Sequence, residues 1–235
     1  MKNLFFLILV IYLFIVGCAT STNDSFLKIA REKDLKGDFE GAIVYYTKAI
    51  ENNSKNDVAY RYRASAKFTL NDYFGAIADL TKAIEINPND AETYFTRAWM
   101  KKKYRDFNGA LEDYTKLIKL APDDKSGYYG RAETKYELSD YDGANADYSK
   151  IIELYPEDSE AWFNRATFKK TVQDFEGAIS DFTTAIKINS KYAEAYFQRG
   201  LLELELGQKE PGCMDMSRAG ELGHSEAYKV IKEKC

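Results

Sequence analysis

The 235-residue chain contains one histidine, His224. That scarcity removes most imidazole acid–base catalysis and most zinc sites. Its three cysteines, Cys18, Cys213 and Cys235, form no CxxC pair, which excludes zinc ribbons and dithiol redox motifs. Four prolines and 14 glycines exclude collagen-like and Pro-rich chains. Neither charge dominates: 33 Lys and Arg stand against 37 Asp and Glu, a net charge of −4 that leaves no electrostatic footprint for nucleic acid. Phosphate loops (GxxxxGK[ST]), HExxH and GxSxG elbows are missing. The reading is therefore a non-enzyme with no catalytic residue, no metal and no cofactor. What is abundant is aromatic: 18 Tyr and 14 Phe.

Lys2 is followed by an apolar stretch from Leu4 to Val16. That is short for a membrane span and fits a signal-peptide core. The stretch ends in Ile15-Val16-Gly17-Cys18, which resembles the bacterial lipobox. The resemblance implies a signal peptide over 1–17, cleavage between Gly17 and Cys18, lipidation (palmitate) of Cys18, and a polar linker over 18–22. Several acyl chains anchor more firmly than one. Ala19 after the cysteine favours, by analogy, the outer membrane, with the body facing the periplasm. Ordinary cleavage, or an uncleaved anchor, are the alternatives.

Gly-Ala recurs at 41–42, 75–76, 109–110, 143–144 and 177–178, a fixed step of 34 residues. Such a period marks stacked supersecondary units. It divides 23–226 into six: 23–56, 57–90, 91–124, 125–158, 159–192 and 193–226. Each unit carries two helical patterns, and Asp recurs at the turn between them in four units (Asp72, Asp106, Asp140, Asp174), where a short acceptor can cap the second helix. Pro88, Pro122 and Pro156 end units. We number the places within a unit 1 to 34. The fourth is aromatic throughout: Phe26, Tyr60, Tyr94, Tyr128, Trp162 and Tyr196. The eighth and twentieth are Ala or Gly in every unit, and the twenty-seventh is Ala except at Leu117 and Ile151.

These positions resemble the tetratricopeptide repeat over nearly the whole chain after the leader. The resemblance implies an all-α, right-handed solenoid of six helical hairpins, with 227–235 completing a capping helix. It also implies a concave groove, lined by first helices, that holds a protein or peptide. Carried over place by place, the groove residues are Arg61, Tyr62, Phe95, Trp99, Lys103, Tyr129, Glu133, Phe163, Asn164, Phe197 and Gln198. Gly130 should leave room there for a ligand side chain.

Arg at place seven recurs with Asp at place twenty-three in units two to six: Arg63 and Asp79, Arg97 and Asp113, Arg131 and Asp147, Arg165 and Asp181, Arg199 and Asp215. Unit one has Ile29 and Tyr45 there. The joint absence predicts ion pairs within units, because a buried Arg is costly unpaired. An Arg ladder for an anionic ligand is the competing reading. Residues 225–234 are amphipathic and should cap the stack, bringing Cys213 near Cys235. Export allows a disulfide there, two free thiols being the alternative. His224 is expected as a surface turn residue. The functional expectation is a membrane-anchored interaction scaffold. The alternatives are an assembly factor of an outer-membrane or pilus machine, and a cell-wall-binding protein or enzyme.

Overall fold

The computed structural model describes residues 24–235; the lipobox, with Gly17 and Cys18, lies outside them. The described residues form helices and turns with no strand, and none of the helices is long and apolar enough to cross a membrane. The chain divides into two units. The first holds α1 (24–35), α2 (Phe39–Asn52), α3 (Asp57–Thr69), α4 (Tyr73–Ile86), α5 (Ala91–Lys103) and α6 (Phe107–Leu120). The second, Ala121–Cys235, holds α7 (Lys125–Glu137), α8 (Tyr141–Leu154), α9 (Ser159–Thr171), α10 (Phe175–Ile188), α11 (Ala193–Glu205), α12 (Lys209–Glu221) and α13 (Ala227–Lys234). Each unit is an all-α solenoid segment of three hairpins.

The hairpin follows from a few local rules. Two residues past the end of each first helix, at place fifteen, φ is positive and the chain turns. That residue is Gly37 or Gly207 at two turns, but Asn71, Arg105, Ser139 and Gln173 at the others, with φ of 61–65°. The next residue is the capping Asp. Asp38, Asp72, Asp106, Asp140 and Asp174 each accept from the backbone N–H three residues on, at 2.9–3.0 Å. That N–H belongs to the Gly of the Gly-Ala pair. At Gly75 a Cβ would sit 2.1 Å from Asp72 Oδ2, so a side chain there would push the carboxylate off its cap. In the sixth repeat Gln208 replaces the Asp and makes no side-chain cap.

Small residues then let the helices close. Ala30, Ala42, Ala64, Ala76, Ala166 and Ala178 are fully buried. Around them, place twenty-four supplies the large core side chains: Tyr46, Leu80, Tyr114, Tyr148, Phe182 and Met216. Leu117 and Ile151, bulky where Ala is usual, are also buried. Burying each large side chain contributes about 1.5–3 kcal/mol; Phe182→Ala would cost about 3–5.

The cap begins two residues later than expected, at Ala227. Val230 and Ile231 pack on Phe197, Met216 and Ala219. Cys213 and Cys235 are joined, with Cα atoms 5.8 Å apart. His224 is not a simple surface residue. Its ring stacks on Phe197, centroids 3.8 Å apart, and its Nε2 lies 2.9 Å from Glu194 Oε2. The turn after α12 folds the imidazole down over the end of α11, which the amphipathic pattern of 225–234 does not reveal.

Candidate functional site

The Arg–Asp geometry is the same in every repeat that has it. In the second, Arg63 Nη2 donates to Asp79 Oδ1 at 2.6 Å and Nε to Oδ2 at 2.8 Å. Arg97 with Asp113, Arg131 with Asp147, Arg165 with Asp181 and Arg199 with Asp215 repeat the bidentate pair at 2.6–2.9 Å. The carboxylates are nearly closed to solvent; Asp113 and Asp181 are each 3% exposed. Each guanidinium also lies over the place-four ring of its own helix, 4.9–5.9 Å from the centroid.

Two further partners were not anticipated from sequence. Lys67, Lys101, Lys135 and Lys169, at place eleven, reach the same Asp oxygens at 2.8–3.0 Å. The remaining Arg nitrogen reaches back to the preceding repeat: Arg63 to Thr47, Arg97 to Thr81, Arg165 to Ser149 and Arg199 to Thr183, at 2.8–3.1 Å. A hydroxyl recurring at place twenty-five was the available signal. With carboxylate and hydroxyl held this way, these arginines tie hairpins together, and an anion would have to displace their partners to bind.

The sixth repeat departs from this pattern. Glu203 occupies place eleven in place of Lys. Its Oε2 is buried without a hydrogen-bond partner. Arg199 Nε approaches its other oxygen only to 4.0 Å. Burial first, and then the Asp215 charge, push the Glu203 carboxyl up from its ordinary range.

The groove residues carried over from the family are brought onto first helices, but few are open. In the first unit, Tyr62 stacks on Tyr46 at 5.9 Å. Arg31 from α1 lies over the same ring, 4.4 Å from the Tyr62 centroid, and its Nη2 donates to the Tyr62 hydroxyl. Arg61 bridges α3 to α5, with Nη1 2.6 Å from Asp90 and Nη2 2.9 Å from Glu92. Burial opposes the Asp90 charge, but the bonds from Thr93 and Arg61 hold its carboxyl below its usual range. Phe95 meets Tyr114 edge-on. Trp99 packs on Phe68, centroids 5.0 Å apart, and Lys103 lies over its ring at 5.6 Å.

In the second unit, the Tyr129 hydroxyl donates to Asp158 at 3.1 Å, and Lys125 reaches the same carboxylate at 2.6 Å. Burial opposes the Asp158 charge, but these bonds and the backbone N–H of Ala161 hold its carboxyl low. Phe163 sits between Phe182 and Tyr192. Asn164 is half-buried and Glu133 exposed. Gln198 accepts from Lys170 and donates to Glu194. Two expectations are corrected. Phe197 is 6% exposed, covered by the cap and the His224 ring, and so lines no groove. Gly130 is buried, and its carbonyl accepts from Thr134 at 2.6 Å, so it opens no space for a ligand. The expected groove aromatics are half-buried because they also seal neighbouring hairpins.

Among the described residues, no group of three or more His, Cys, Asp or Glu is arranged to hold a metal. Two family models, each described as tetratricopeptide repeat, match the sequence, one over 27–91 and 129–168, the other over 159–192. This is a chain of tetratricopeptide repeats. No curated protein matches it. The repeat chain is similar to several solved structures. One is YrrB, described as a TPR protein with an unusual peptide-binding site. It is 19% identical with a TM-score of 0.64, over 81% of this chain and 98% of that one. Another is PilF from Pseudomonas aeruginosa, at 13% identity and a TM-score of 0.68, over 92% and 99%. MamA aligns at 20% identity and a TM-score of 0.65, over 74% and 96%. At these identities the likeness is one of fold.

Proposed function

We propose that the chain is an exported, lipid-anchored scaffold that receives a partner protein or peptide on the first-helix face of its repeats, without catalysis. The anchor reading rests on Ile15-Val16-Gly17-Cys18 behind an apolar core. It carries the envelope location with it, in the outer membrane facing the periplasm. The observation that supports the binding reading most is in the first unit. There α1, α3 and α5 set Arg31 on Tyr62, Arg61 against Glu92, and Lys103 on Trp99. Arg and aromatic side chains side by side, already held by neighbours, give a pre-organised surface of the kind that carries binding energy. Ser65 is exposed on α3 of this face.

Cross-linking and recovery of the full chain from cells tests this against Ser65→Trp, which obstructs the face without removing a packed ring. Partners recovered with the parent and lost with Ser65→Trp, at unchanged thermal stability, support the reading. Identical partners for both overturn it. Partners that are subunits of an outer-membrane or pilus machine would make the scaffold an assembly factor. Cys18→Ser tests the anchor, and is expected to move the protein out of the membrane fraction.

A further inference from the structure

The six repeats provide an internal control. A residue the fold requires recurs; a residue that departs in one repeat needs another reason. At place eighteen, on the first turn of the second helix, five repeats carry polar residues: Glu40, Asn108, Asp142, Glu176 and Glu210, all exposed. The second repeat carries Phe74, which is 81% exposed. Beside it, the turn that reads Thr69-Leu70-Asn71 in the second repeat reads Lys103-Tyr104-Arg105 in the third. The Tyr104 ring meets Phe74 at 5.9 Å and Tyr73 at 4.0 Å. Tyr73 continues to Phe68 at 5.1 Å, and Phe68 to Trp99 at 5.0 Å. A line of rings thus leaves the first-helix face at Trp99, rounds the hairpin turns, and ends in the open at Phe74.

Two cations face out along this line. Lys103 and Arg105 are exposed and lie over the Trp99 and Phe107 rings, each 5.6 Å from the centroid. The neighbouring carboxylates, Asp72 and Asp106, are also exposed, but each is engaged as a helix cap. Asp72 and Asp106 accept from the N–H groups of Gly75 and Gly109 at 3.0 Å. There the helix N-terminus offsets their charge.

From these departures we infer a second interaction surface at this edge, adjoining the first-helix face and sharing Lys103 with it, that takes an acidic peptide segment of a partner protein carrying one aromatic or apolar side chain. The segment lies along the rings, seats its apolar residue against Phe74 and Tyr104, and places its carboxylates on Lys103 and Arg105. A lipid surface fits less well. Two cations and one projecting ring fall short of the basic cluster and wide apolar face by which helices bind anionic membranes.

The test uses the purified full chain and a fluorescent peptide of Asp and Glu around a single Phe, with a Lys-for-acid control. Variants carry residues that other repeats hold at the same places: Phe74→Asn, and the pair Lys103→Thr with Arg105→Asn. The acidic peptide should bind, weaken with salt, and bind about tenfold more weakly to either variant at unchanged thermal stability. Ser65→Trp should leave it bound, which separates this surface from the first-helix face. No binding of the acidic peptide, or equal binding by parent and variants, overturns the inference. So does loss of binding with Ser65→Trp alone. Phosphatidylglycerol vesicles that bind the parent but not Phe74→Asn, where the peptide binds neither, would assign the edge to the membrane instead.

Discussion

Arg97 holds Asp113 with two parallel bonds, at 2.6 and 2.8 Å, and sends its third nitrogen 3.0 Å to Thr81 in the preceding repeat. One side chain therefore closes its own hairpin and fastens it to the one before, sixteen residues away in either direction. Lys101 shares the same carboxylate. Asp113→Ala would leave two cations facing an emptied, nearly dry position, at a cost of about 3–5 kcal/mol. Thr81→Ala removes one hydrogen bond, worth about 1 kcal/mol. Breaking the exposed pair Lys82–Glu85 should cost least of the three, because solvent screens it. Denaturant unfolding of the three variants should rank them in that order.

Glu203 stands where the other five repeats put a lysine. Its folded carboxyl titrates above the ordinary 4.5 because burial and then Asp215 oppose its charge. The folded state then holds the proton more tightly than the unfolded state. This site's contribution is full below the unfolded value and is lost as pH rises through the lifted folded value. Glu203→Gln should be more stable than the parent at neutral pH, with the difference closing as pH falls toward the ordinary carboxyl range. Glu203→Lys restores the ammonium beside Asp215 and should raise the melting temperature by several degrees. A parent and Glu203→Gln that melt in parallel at every pH would contradict this assignment.

Gln173 has φ of 64° where Gly37 and Gly207 serve at the equivalent turns. A side chain there carries a backbone penalty that glycine avoids, partly offset by glycine's larger unfolded-state entropy. Gln173→Gly should stabilise by about 0.5–1 kcal/mol, measured by denaturant midpoint at constant slope.

The Cys213–Cys235 bridge closes a separation of 22 residues. Its loss should cost about 3 kcal/mol. The effect should be local. Reduction, or Cys213→Ser, is expected to speed hydrogen exchange in α13 first, and around Phe197 and Met216 next, with α2 to α4 unchanged.

Much of this architecture was legible in the sequence because each repeat restates it. Gly-Ala fixed the period, the turn Asp announced the cap, and the absence of both Arg and Asp from the first repeat pointed to a pair within a repeat. The lysine at place eleven and the hydroxyl at place twenty-five were equally periodic. They were missed because neither residue type signals burial. The open face was the least legible part. A first-helix aromatic at place five reads the same whether it meets a ligand or the next hairpin. Tyr62, Phe95 and Phe163 each meet a neighbouring ring. His224 was misread for a related reason: nothing in the turn sequence shows that Phe197 lies beneath it.

The scaffold reading is tested most directly by a photo-reactive amino acid placed at Ser65, on the first-helix face, and separately at Lys82, exposed on α4. The full chain carrying each is irradiated in cells. A discrete protein adduct at Ser65 that is absent at Lys82 is the predicted result. Adducts confined to Lys82, or none at either position, would contradict a partner seated on the first-helix face.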